Sequence, residues 1–172
     1  MSIAPDYADP LEAWRVWRVV RSNGDFSLGS VVQRIVWPAG EAFSAACLRP
    51  RRLFRRFRQS SDHEAPEPAC ECGIYGATLE CARYYLAEAP FFGGARVVGT
   101  VALWGTVVEC ERGYRAAHAY PSRIFVPADA GDPWRIGWDE VAFGLCRYGV
   151  PIELLAARAA EAADALAARA AA

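Results

Sequence analysis

The sequence predicts an α+β domain: a curled, mainly antiparallel sheet or small β-barrel, with one or two packed helices and a C-terminal α-helix. Three observations predict it. Runs rich in Val, Ile and Trp, bounded by Gly, Pro or Asn-Gly, read as strands. Gly99 and Gly105 interrupt the strongest of these runs, where a curled sheet needs a bend or bulge. The remaining periodic stretches are rich in Ala and Leu and follow a three-four spacing.

In chain order, residues 1–12 read as a flexible entry containing Pro5, Asp6, Asp9 and Pro10, residues 13–150 as a single α+β domain, and residues 151–172 as an alanine-rich C-terminal helix. Ala13–Val20 is strand by its Trp and Val content. Arg21–Gly29 carries an Asn-Gly pair and reads as a turn, and Ser30–Trp37 pairs back across it as the second arm of a hairpin. Glu41–Leu48 fits a short strand or one helical turn. Arg49–Arg58 fits a helix with Leu53, Phe54 and Phe57 on one face and arginines over the rest. Ser60–Pro68 is loop.

Thr78–Ala89 has helix formers and ends before Pro90. Arg96–Cys110 is strand, Glu111–Gly113 a turn, and Tyr114–Tyr120 a returning strand broken by Pro121, with a further short strand at Arg123–Val126. Gly137–Tyr148 reads as a helix capped by Gly149. Pro151–Ala172 carries Ile152, Leu155, Ala159, Ala162 and Leu166 as an apolar stripe, able to pack on the domain or, in a homodimer, on a second copy.

The 172 residues suffice for one sizeable core, and 53% of them are apolar or aromatic, which argues against disorder. A net charge of −1 gives no whole-molecule attraction to nucleic acid. All 19 basic residues are arginine, so lysine nucleophiles and lysine Schiff bases are excluded. Neither a secretory signal in MSIAPDYADP nor a membrane-length apolar run is visible, which predicts a cytoplasmic chain with reduced cysteines and no membrane partner.

Metal-competent side chains crowd around His63–Gly76, which reads HEAPEPACECGIYG. With Cys47 upstream, His63, Cys70 and Cys72 make a Cys3His set suited to one structural zinc, and Gly73 permits the turn that would fold both sulfurs of the Cys-x-Cys pair inward. A proline-rich loop gains from such a clip because little else holds it. The alternative for the same residues is a redox or nucleophilic thiol at Cys70 or Cys72 with His63 as base, although Glu67 and Glu71 oppose a low thiol pKa. Cys81, Cys110 and Cys146 are expected as small buried hydrophobes.

Two other regions are candidates. Arg51, Arg52, Arg55, Arg56 and Arg58, in the Arg49–Arg58 segment, suit phosphates and would bind nucleic acid, with Phe54 and Phe57 available for stacking; the alternative is a solvated face offset by Asp62, Glu64 and Glu67. Strand alternation places Tyr114, Ala116, His118 and Tyr120 on one face, opposite Arg115 and Ala117. With Trp104 they form an aromatic ligand-binding surface for a small molecule or protein partner. Glu109 and Glu111 flank a turn and are expected to face solvent. No phosphate loop, nucleophile elbow or HExxH motif is present, and a non-catalytic domain is the favoured reading.

WPAG at Trp37–Gly40, CECGIY at Cys70–Tyr75, LWGTVVECERGYRAAHAYP at Leu103–Pro121 and YGVP at Tyr148–Pro151, together with Cys47 and HEAP at His63–Pro66, resemble an uncharacterised family of small actinobacterial proteins. The resemblance spans about residues 14–151. It implies a shared fold and brings no activity with it. The arginine segment departs from that pattern, which weakens nucleic-acid binding as a family property.

Overall fold

The structure is a computed structural model that describes residues 9–50, 57–59, 63–87 and 94–171. β1 (Leu11–Ser22) and β2 (Asp25–Ser30) form a hairpin closed by Asn23-Gly24, whose φ values of 54° and 88° are the left-handed pair a two-residue turn requires. The hairpin expected from sequence is present, but its second strand begins at Asp25 and ends at Ser30. The turn needs only two residues, so Ser30–Trp37 keeps no strand beyond one bridge between Gly29 and Val36.

β3 (Phe43–Ser44) follows, then β4 (Leu48–Pro50) and β5 (Phe57–Gln59), which pair with each other in a separate two-stranded sheet. The ends of the Arg49–Arg58 segment are therefore extended and not helical. Pro50 disfavours helical backbone at Arg49, and arginines three and four apart would repel along a helix.

β6 (Ile74–Ala77) leads into α1 (Leu79–Ala87). β7 (Arg96–Cys110) and β8 (Gly113–Pro127) make the long hairpin at the centre of the molecule. Its register shifts between Thr100 and Val101, just after Gly99, and between Trp104 and Val107, an interval that contains Gly105. β8 runs through Pro121 without breaking: Pro121 stays in register with Val101, and the first shift leaves Ser122 as the extra residue beside it, a bulge of the kind that tolerates proline. α2 (Trp138–Leu145) runs into a 3-10 turn at Cys146–Tyr148, capped by left-handed Gly149.

β9 (Ile152–Leu155) pairs parallel with β8, and α3 (Ala162–Ala170) ends the described chain. The C-terminal helix thus starts at Ala162, not at Pro151. Ile152–Leu155 instead completes an edge of the sheet, where pairing with Ile124–Pro127 satisfies backbone groups that helix propensity alone would leave to water.

β1, β7, β8 and β6 pair in a closed cycle, made uneven because β1 meets β6 only at Trp14↔Ala77; β2, β3 and β9 extend it to seven mostly antiparallel strands. One face of the ring buries Ala13, Trp17, Ile74, Val101, Leu103, Ala116, Ala119 and Ile124, with α2 adding Val141 and Leu145. The other face packs Val16, Val98 and Phe125 under α1 and α3 through Ala82, Leu86, Ala162 and Leu166, with Leu155 of β9 in the same cluster. Much of the C-terminal stripe is thus covered within the chain. Among the described residues no helix is long and apolar enough to cross a membrane.

Candidate metal centre

β8 assembles the centre from two sides. On one side β3 pairs with it at Phe43↔Ala119, and the Ala45 amide donates to the Ala117 carbonyl at 2.7 Å, which carries the chain inward to buried Cys47. On the other side β6 pairs with it at Ile74↔Ala116 and Tyr75↔Arg115, directly after Cys70 and Cys72. His63 and the two cysteines sit in an irregular loop that folds on itself: the Cys70 amide donates to the Glu67 carbonyl at 3.0 Å, and the Ala65–Pro66 bond is cis. Gly73 reverses the chain with φ +121°, and a Cβ there would stand 2.9 Å from Pro66 Cβ and 3.1 Å from Arg115 Cβ. No other residue fits that turn without displacing its neighbours.

The ligand atoms of Cys47, His63, Cys70 and Cys72 all lie within 4.8 Å of one another, a group that could hold a metal ion. Cys47 Sγ is 3.8 Å from Cys70 Sγ, and Cys72 Sγ is 3.3 Å from His63 Nε2. A tetrahedral ion with ligand bonds of about 2.3 Å to sulfur and about 2.0 Å to nitrogen needs roughly 3.8 Å between sulfurs and roughly 3.5 Å between sulfur and nitrogen. The observed separations fit. Four protein donors would also leave a tetrahedral ion no open position for water, which is the arrangement of a structural site.

The loop backbone supports the sulfurs. The Glu67 amide donates to Cys72 Sγ at 3.4 Å. Hydrogen bonding from the Cys72 backbone holds the Cys70 thiol below its ordinary value, against the opposing effect of burial. Burial pushes the Cys47 thiol up to about 11, reinforced by its hydrogen bond with Cys70.

Arg115 lies directly beneath and is 2% exposed. Its Nη1 donates to the carbonyls of Cys70, Cys72 (2.8 Å) and Glu67 (3.4 Å), and its Nε donates to Cys110 Sγ at 3.3 Å. The guanidinium thus gathers three carbonyls of the ligand loop, of which Glu67 also accepts from the Cys70 amide while those of Cys70 and Cys72 depend on Arg115. Strand alternation set Arg115 opposite the presumed aromatic face but gave no sign of this role. The available signal was a lone arginine in the otherwise apolar run Tyr114–Tyr120.

The aromatic residues have different partners. Trp104 and His118 stack with centroids 5.9 Å apart, and His118 Nδ1 is 3.1 Å from Ser44 Oγ, a neighbour the sequence did not indicate. Tyr120 is committed to the fold: its hydroxyl accepts from the Gly40 amide at 2.7 Å and donates to the Tyr148 carbonyl at 2.8 Å. Tyr114 packs against the inner core. Ala116 and Ala119 are both fully buried although three apart, so the simple alternation that grouped these residues fails next to the second register shift.

Arg51, Arg52, Arg55 and Arg56 lie outside the described residues, and Arg58 enters only through the backbone pairing of β5. Cys81 and Cys110 are partly buried, whereas Cys146 is exposed, correcting its assignment to the core: it follows α2 on the side away from Val141 and Leu145. Glu109 and Glu111 face solvent as expected. The chain matches no family model, no curated protein and no solved structure in the comparisons made.

Proposed function

We propose that this chain is a non-catalytic binding or regulatory domain in which a structural zinc, held by Cys47, His63, Cys70 and Cys72, staples the 47–72 segment onto the sheet. The convergence of the four ligand atoms within 4.8 Å of one another, with Cys47–Cys70 and Cys72–His63 separations close to those of a tetrahedral site, carries this reading. Three thiolates and an imidazole suit zinc, and the resulting centre is net anionic. The buried Arg115 guanidinium lies where it offsets that charge. A site built from reduced thiolates fits a cytoplasmic protein. The motifs that carry the actinobacterial resemblance have distinct jobs in this picture: Cys70–Tyr75 forms the staple, and Leu103–Pro121 forms the hairpin beneath it.

Elemental analysis of protein purified without added metal is expected to find about one zinc per chain. Cys70→Ser is expected to leave well under half of that. A metal-free wild-type chain with the same thermal melt as metal-loaded protein would overturn the staple. Selective alkylation of Cys70 or Cys72 in metal-loaded protein would favour the thiol-redox alternative instead.

A further inference from the structure

The four donors of the metal centre differ in access and in partners. Cys47 is 3% exposed, whereas His63, Cys70 and Cys72 are each partly exposed. Cys72 Sγ is engaged on two sides, by His63 Nε2 at 3.3 Å and by the Glu67 amide at 3.4 Å. Cys70 Sγ has the sulfur of Cys47 beside it at 3.8 Å. A small reagent arriving from solvent thus reaches Cys70 with a second, sheltered sulfur directly behind it.

That pairing has a chemical consequence. A sulfur that ligates zinc is a thiolate, and it is the thiolate that attacks an electrophile. A disulfide requires an S–S distance of about 2.05 Å, so the sulfurs of Cys47 and Cys70 need to close by less than about 2 Å. Cys70 lies in the irregular loop, outside the strands, where the backbone has room for that adjustment. A bridge between Cys70 and Cys72 is a poorer solution. It would close across a single residue while Arg115 holds both of their carbonyls.

We infer that Cys70 is an oxidation site for small hydroperoxides, resolved by Cys47 into a disulfide that releases the metal. This rests on the reading of the cluster as a zinc centre. The Cys70 thiolate attacks one peroxide oxygen, the O–O bond breaks, and the other oxygen leaves as hydroxide and is protonated to water. The Cys47 thiolate then attacks the sulfur of the Cys70 sulfenic acid, the S–O bond breaks, and a second hydroxide leaves as water. Two sulfurs together give up two electrons to one peroxide, and solvent supplies two protons. With two of its four donors joined to each other, the zinc departs as the divalent ion.

The residues bridged are 23 apart in sequence, so the oxidised chain keeps a covalent tether across the stretch that the metal had held. His63 and Cys72 are freed. A disulfide of this kind, formed from ligands and reduced again by thiols, is the transient, sensing type that reducing compartments allow.

The test treats the zinc-containing full chain with hydrogen peroxide near neutral pH and follows zinc release and cysteine state together. Loss of about one zinc per chain is expected in step with a Cys47–Cys70 disulfide found by peptide mapping, and dithiothreitol with added zinc should restore both. Cys146, exposed and outside the cluster, is mapped in the same samples as a gauge of indiscriminate oxidation. Cys47→Ser should lose the disulfide and leave a sulfenic acid on Cys70 that a 1,3-diketone captures. Cys72→Ser keeps the reacting pair, should still form the bridge, and serves if Cys47→Ser does not fold.

The inference is overturned if the cluster keeps its zinc and its reduced thiols while Cys146 is oxidised. It is equally overturned if the disulfide joins Cys72 to either neighbour, or if the diketone adduct falls on Cys72 instead of Cys70. Protein that carries no zinc before treatment removes the staple and this inference with it, whereas zinc-loaded protein that resists peroxide removes this inference alone.

Discussion

The Cys47–Cys72 cluster and the Trp104–Tyr120 aromatic strands both offer side chains of functional character, but they differ in where those side chains find partners. In the cluster, four ligand atoms from separate stretches face one another, and the surrounding backbone is tied down by Arg115. Along the strands, Tyr120 bonds to Gly40 and Tyr148, Tyr114 packs on the core, and His118 stacks on Trp104 beside Ser44. A site is distinguished by chemistry that points at a common centre and not by a run of suitable residue types.

Three substitutions sharpen this contrast. Arg115→Met leaves the carbonyls of Glu67, Cys70 and Cys72 without the donor they share. Glu67 keeps its bond from the Cys70 amide, so the change should destabilise the fold by about 2 kcal/mol or more, one for each of the two stranded carbonyls, lowering Tm by roughly 4–8 °C and reducing metal retention. A melt unchanged from wild type would mean that the ligand loop does not need its buried guanidinium.

Tyr120→Phe removes one hydroxyl that serves both Gly40 and Tyr148, and should cost about 1–3 kcal/mol in urea unfolding with zinc content unaltered. Loss of metal in this variant would show the strands and the cluster to be one energetic unit. His118→Ala deletes a partly exposed ring and should cost less than about 1 kcal/mol, again with zinc retained. A larger effect would mark His118 as part of a site that its present contacts do not reveal.

The ring was legible where local chemistry dictated it. Asn23-Gly24 specifies a tight turn by itself, and the β-branched run at Arg96–Cys110 has strand character along its whole length. The metal group was legible because cysteine and histidine have few other reasons to gather around one loop. Long-range pairing was not legible. Ile152–Leu155 has helical surroundings, and only the distant strand at Ile124–Pro127 makes it a strand. The register shift near Gly105 carries an extra residue on β7, and counting in twos along β8 misassigns what lies beside it. Alternation places Arg115 opposite the aromatic residues and says no more, because the carbonyls it serves arise more than 40 residues earlier in the chain.

The closed ring also sets an order of events during biosynthesis. β1 takes its main partner from β7, where Trp17 pairs with Val97. At a translation rate of about 5–20 residues per second, the strand waits roughly 4–16 s for that partner to be made. During that interval the first hairpin carries an open edge and unburied tryptophan, the state in which a nascent chain is most prone to pair with others. All four cluster residues precede β7. A metal bound by the emerging chain would therefore tether Cys47 to Cys72 before the ring can close, shortening the loop that separates β1 from the strands it awaits.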